Sequence, residues 1–119
     1  MEHARTYFEV GKPCRDTAVV ALGETLEMND LSALDHCLAR LSAYDKHIVL
    51  DFSNTAHVHY CLPELLQRHA NRLRAQDGSL VLCGLNDYIE TIFSFMGYVW
   101  DFERAESTEE VLSRPEYRV

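Results

Sequence analysis

Short apolar runs alternate with longer segments in which apolar residues recur every three or four positions, the signature of strands interleaved with helices. Thr6 to Val10 alternates weakly and predicts a first strand closed by Gly11, Lys12 and Pro13. Thr17 to Leu22 (TAVVAL) predicts a second, close enough behind for an antiparallel hairpin. Glu24 to Met28 reads as an ambiguous, extended connection; Asn29 and Asp30 then offer N-cap side chains to a helix starting about Leu31, whose inward stripe is Leu31, Leu34, Leu38 and Leu41. His36 and Arg40 fall off that stripe.

His47 to Phe52 (HIVLDF) has the near-continuous apolar character of a strand covered on both faces. Ser53, Asn54 and Thr55 form a turn cluster, and Pro63 suits the first turn of a helix from Leu62 to Gln76, where its missing N–H is not needed. That helix presents Leu62, Leu65, Leu66, His69 and Leu73 on one face, and Asp77 with Gly78 stops it, glycine suiting a left-handed C′ position. Ser79 to Cys83 (SLVLC) is another buried strand, and strand, helix, strand in this order implies parallel pairing through a right-handed crossover. Asp87 with Glu90 has the form of a capping box, with Asn86 as a competing cap; Ile89, Ile92, Phe93 and Met96 make the inward stripe, and Gly97 ends the helix. Tyr98 to Phe102 predicts a last strand, with Trp100 in the core or covering the sheet edge, and Ser107 with Glu110 caps a short helix over Val111 and Leu112. The order is β-β-α-β-α-β-α-β-α: an α/β fold with one mixed sheet, antiparallel at its start and parallel afterwards, in a single domain over residues 1–119.

Composition narrows the function. A net charge of −8 opposes binding to a phosphate backbone, so no nucleic-acid partner is expected, and a basic surface on a protein partner fits better. Locally, Arg68, Arg72 and Arg74 read as a solvated helix face that could still orient an acidic partner, with Glu64 four residues before Arg68 for a weak ion pair. No stretch reaches the roughly 20 apolar residues of a membrane span and the N-terminus lacks a signal-type core, so a cytoplasmic protein without membrane contact is expected. Cys14, Cys37, Cys61 and Cys83 form no CxxC pair and are expected as reduced, mostly buried thiols; no cofactor is expected.

The segment LDFSNTAHVHYCLPELL (50–66) resembles the central motif of STAS domains, the sulfate-transporter and anti-sigma-factor-antagonist family, in which a strand ending Leu-Asp-aliphatic-Ser runs through a loop into Asp-Ser-Ser-Gly-Leu and a helix. Leu50, Asp51, Phe52 and Ser53 match the strand; the family's aspartate falls on His59, its two serines on Tyr60 and Cys61, and its glycine on Leu62. The element order agrees, and Met96-Gly97 stands where the family has a glycine-bearing turn after its third helix. In regulatory members the second serine is phosphorylated by a partner kinase, so the resemblance places a cysteine, Cys61, at the switch position.

The resemblance implies a stand-alone, non-enzymatic protein-binding module of signal transduction and transcription regulation, docking an anti-sigma factor or a serine kinase of the histidine-kinase-like ATPase type. Its candidate contact residues are His57, His59, Tyr60, Cys61, Leu62, Glu64 and Arg68. Tyr60 carries its hydroxyl too far from the backbone for a serine kinase and reads as an aromatic anchor. Asp51 is expected to make a structural hydrogen bond and Ser53 to cap the turn. Two alternatives stay open. His57, His59 and Cys61 alternate, so an extended loop would turn all three to one side as zinc or copper ligands, with His69 as a fourth, although water-facing histidines and a packed cysteine account for the same pattern. Cys61, at the positive end of a helix and two residues from His59, also has the makings of a nucleophile or redox sensor. A purely structural role in a larger sensory assembly is a third reading.

Overall fold

A computed structural model describes residues 8–98 and 101–117. The elements are β1 (Phe8–Cys14), β2 (Thr17–Leu22), β3 (Thr25–Leu26), α1 (Met28–Leu41), β4 (His47–Asp51), β5 (His57–Val58), α2 (Leu62–Ala75), β6 (Ser79–Cys83), α3 (Asp87–Phe95), β7 (Glu103–Ala105), α4 (Thr108–Leu112) and a 3-10 turn, Pro115–Tyr117. The main sheet has five strands in the order β1-β2-β4-β6-β7; β1 pairs antiparallel with β2 and the other neighbours pair parallel. This is the mixed α/β architecture expected from the periodicities, with two short strands added.

β4 lies at the centre of the sheet, and alternate side chains along it serve two cores. Ile48 and Leu50 join Val20, Leu22, Leu80 and Leu82 under the leucines of α1 and α2 and under Ile89 and Phe93 of α3. Val49 joins Val81, Cys83, Val111 and Tyr117 on the opposite face. Burial on both faces explains the uninterrupted apolar run. Ile48, Val49 and Leu50 have no exposed surface, and each contributes about 1.5–3 kcal/mol by burial. A chain of polar contacts ties the C-terminal turn to the sheet: His47 Nδ1 to Ser79 Oγ at 2.9 Å, and Ser79 Oγ to Tyr117 Oη at 2.7 Å.

Several boundaries differ from expectation. The first strand does not stop at Gly11 but runs to Cys14, its register breaking between Gly11 and Cys14; at a sheet edge Pro13 forfeits no ladder bond, and Lys12 reaches across to an ion pair with the buried Asp45. Thr6 and Tyr7 lie outside the described residues. α1 starts at Met28, not Leu31, because Glu27 takes the N-cap: its N–H donates to Asp30 Oδ2 at 2.7 Å and its carboxylate accepts in return. Asn86 rather than Asp87 caps α3, Oδ1 accepting from Ile89 N at 2.7 Å, while Glu90 grips Arg104 Nε through both oxygens at 3.0 and 2.9 Å. Met96 is not part of the inward stripe; α3 ends at Phe95, and the turn through Gly97 at φ +89° leaves Met96 40% exposed. The last strand is Glu103–Ala105 instead of Tyr98–Phe102; Phe102 turns into the core edge-on to Phe93 at 5.5 Å, and Val99 and Trp100 lie outside the described residues. After α2 it is Asp77, at φ +64°, that takes the left-handed position assigned to Gly78.

Between α1 and α2, His69 is 1% exposed, with Nε2 at 2.6 Å from Asp35 Oδ1 and Nδ1 without a partner among the described residues. Burial pushes the His69 imidazole below its ordinary value of 6.5, outweighing the Asp35 hydrogen bond that favours its protonation; that same bond holds the Asp35 carboxyl below 3.8. With both folded values depressed, the unfolded chain takes up the extra protons. His69 therefore supports the fold fully above pH 6.5 and progressively less as pH falls below it, whereas Asp35's contribution persists to 3.8 and is lost as pH drops through its folded value. Urea midpoints should fall between pH 7.5 and 5.5, and His69→Leu should flatten that dependence; an unchanged slope would exclude His69 as its source.

Candidate functional site

The loop after β4 is clamped by two other segments of the chain, residues 23–26 and 84–86. Asp51 Oδ1 accepts from Ser53 N at 3.0 Å, the structural bond expected of that carboxylate. Thr55, 4% exposed, donates through Oγ1 to Gly23 O at 2.8 Å, and its carbonyl accepts from Asn86 Nδ2 at 3.2 Å. Ala56 N donates to Glu24 O at 2.7 Å and His59 N to Leu26 O at 2.8 Å, so the ambiguous Glu24–Met28 segment contains the partner strand, β3 pairing parallel with β5. Gly84, at φ +71°, packs so closely on this turn that a Cβ would lie 3.1 Å from Ser53 N and Cα. The sequence marks Thr55 only as a turn residue and gives no sign of its contacts 31 and 32 positions away.

With the backbone held, the side chains divide. Val58 and Leu62 are buried in the core. Leu62, expected among the contact residues, has no exposed surface: as the first residue of α2 it anchors the helix to the sheet. His57 is half-buried, stacked on Tyr88 of α3 at 5.3 Å between ring centres and 20° between planes, with Nε2 3.9 Å from Glu27 Oε2. His59 stacks on Tyr60 at 4.4 Å, and its Nδ1 accepts from Cys61 N at 3.0 Å. The Tyr60 ring is 58% exposed; Glu64 and Arg68 are also exposed, on the first turns of α2. Ser53 is exposed in the turn, where its N–H, not its hydroxyl, makes the bond to Asp51.

The alternation of His57, His59 and Cys61 does not gather them. β5 is two residues long and the chain turns at Tyr60 and Cys61, so the three side chains take separate neighbours, and His69 faces α1. Among the described residues no three His, Cys, Asp or Glu side chains are placed to hold one metal ion. Cys61 is the N-cap residue of α2, with helical backbone angles and no side-chain cap bond, its side chain packed partly against the core. All four cysteines are free, and only Cys83 is fully buried; burial first, then the neighbouring Asp51 carboxylate, push its thiol up to about 12. Cys14, Cys37 and Cys61 are partly exposed, more than the sequence suggested.

The amino ends of α1, α2 and α3 and the loop meet beyond the carboxyl ends of the parallel strands, the usual position of a binding site in an open α/β sheet. A five-stranded mixed sheet with a loop leading into α2 at this position defines the class: an α/β module with its candidate surface at one end. The STAS domain family model matches residues 12–111, and the chain belongs to that family. In structure it is similar to the anti-sigma factor antagonist SpoIIAA in its unphosphorylated form (TM-score 0.81, 18% identity, covering 95% of this chain and 99% of that one). It is also similar to an anti-sigma-factor antagonist (STAS) domain protein from Planctomyces limnophilus (TM-score 0.76, 15% identity, 88% and 94% covered) and to a point variant of RsbS from Moorella thermoacetica (TM-score 0.72, 20% identity, 92% of each). Identities at this level speak to the fold. No curated protein matches the chain in sequence. Among the described residues no helix is long and apolar enough to cross a membrane.

Proposed function

We propose that this chain is a cytoplasmic, non-enzymatic regulatory module that docks a protein partner, an anti-sigma factor or a histidine-kinase-like ATPase, through the loop from Ala56 to Cys61 and the first turns of α2. The single observation that carries the reading is Tyr60: a large aromatic ring, 58% exposed, on a loop whose backbone is clamped by two other segments of the chain. Rigid, exposed aromatics are the residues from which partners draw most binding energy. His57, His59, Cys61, Glu64 and Arg68 surround it as the remaining contacts. Family membership and the likeness to antagonists such as SpoIIAA support the class of partner.

The family's phosphoacceptor position is Cys61, so the switch by serine phosphorylation, which adds roughly two negative charges to such a surface, is absent and docking is constitutive or differently controlled. The test is a pull-down from native lysate with wild type, Tyr60→Ala and the His57→Ala/His59→Ala/Cys61→Ala triple variant, followed by mass spectrometry and by incubation of the recovered ATPase with ATP. Tyr60→Ala should reduce recovery of an anti-sigma factor or ATPase at least tenfold, in line with a hot-spot loss of about 2 kcal/mol or more, and no phosphate should appear on this chain. Undiminished recovery with both variants would refute docking through this loop; phosphate on any loop residue would refute the altered switch.

A further inference from the structure

α3 is apolar on two sides. Ile89 and Phe93 face the core, yet Tyr88 and Phe95, seven residues apart and so nearly in line on the helix, are 44% and 86% exposed. A surface helix ordinarily shows solvent a polar face, and a second apolar stripe points to a surface that becomes covered. The stripe is continuous with the loop: Tyr88 stacks on His57, and the chain leads on through His59 to the exposed Tyr60.

Apart from Arg68 at its α2 edge, the charge around this surface has one sign. Residues 21–30, 53–66 and 84–96, which build this end of the fold and α3, contain no lysine or arginine, but hold Glu24, Glu27, Asp30, Glu64, Asp87 and Glu90. Of these, among the described residues only Glu90 is matched by a strong cation contact, to Arg104. An acidic rim repels an identical acidic rim, which disfavours a second copy of this chain. Area argues the same way: the nine residues of α3 make a helix roughly 13 Å long, and one face of it falls far short of the about 800 Å² per partner of a stable complex. Only together with the loop does the stripe approach that size.

Resting on the docking proposal above, we infer that the partner surface extends from Tyr60 along the outer face of α3 to Phe95, and that it takes a protein segment with an apolar ridge flanked by lysines or arginines. Phe95 and Tyr88 supply the apolar contact, and Glu27, Glu64 and Asp87 select the basic flanks.

The photo-crosslinking amino acid benzoylphenylalanine placed at position 95, and as a control at the likewise exposed Tyr44 outside this surface, tests the inference in native lysate. Crosslinking at position 95 should exceed that at 44 at least fivefold. The crosslinked peptide, sequenced by mass spectrometry, should carry lysine or arginine beside its apolar residues, and Glu64→Lys/Asp87→Lys should cut the yield at least fivefold. A crosslink to another copy of this chain, a crosslink to an acidic segment, a yield no higher than at 44, or indifference to the charge reversal would each overturn it. If Tyr60→Ala abolishes capture of the partner while position 95 does not crosslink, docking through the loop stands and the extension along α3 fails; if neither responds, both fail.

Discussion

Gly78→Ala should lose about 3 kcal/mol of stability, the upper range for forcing extra atoms into a packed site. A Cβ built on Gly78 would lie 1.8 Å from the Lys46 carbonyl oxygen and 2.8 Å from its carbon, both backbone atoms that no rotamer change can move aside. That carbonyl already accepts from Ser79 N at 3.0 Å, at the first rung where β4 and β6 pair through His47 and Ser79. Relief therefore requires separating the end of α2 from the central strand or breaking that rung. Gly11→Ala is the control: among the described residues nothing lies within 4 Å of its Cβ position, and its stability should stay within about 0.5 kcal/mol of wild type. Urea unfolding followed by circular dichroism distinguishes the two, and equal midpoints for Gly78→Ala and wild type would show that the chain can shift there at little cost.

Asn86→Ala should cost about 2 kcal/mol and loosen the candidate site as well. One contribution is the N-cap of α3, where Asn86 Oδ1 accepts from Ile89 N at 2.7 Å, worth about 1 kcal/mol. The other is the bond from Asn86 Nδ2 to the Thr55 carbonyl at 3.2 Å, worth about 1 kcal/mol more. Asn86→Asp keeps the cap acceptor and removes the donor, so it should recover roughly half the loss. Amide hydrogen exchange of Ala56 and His59, whose N–H groups bond to Glu24 and Leu26, should accelerate in both variants. Normal protection in Asn86→Asp would mean that the loop is held without the Thr55 bond.

The elements most legible from the sequence are those whose periodicity follows from burial. β2, β6 and the start of α2 fall where expected because a strand covered on both faces must be continuously apolar and a helix on a sheet must repeat its leucines. Boundaries set by competition between side chains were less legible. Glu27 outcompetes Asn29 and Asp30 for the cap of α1, and Asn86 outcompetes Asp87 at α3, since several neighbouring residues could each have supplied the acceptor. At the site, the loop's position and its exposed Tyr60 were readable from strand, turn and Pro63, whereas the alternation of His57, His59 and Cys61 left a shared side and separate neighbours equally open, since it implies a common side only while the chain stays extended.

The amino-acid sequence alone determined the α/β class, the antiparallel start, the central buried strand and the kinship to STAS domains, all consequences of local pattern or of residues adjacent in the chain. Only the tertiary structure decided that His69 turns to Asp35, that Thr55 and Asn86 lock the loop, and that Tyr88 stacks on His57. Each of these is a contact between segments distant in sequence, made by polar or aromatic groups whose partners no periodicity specifies.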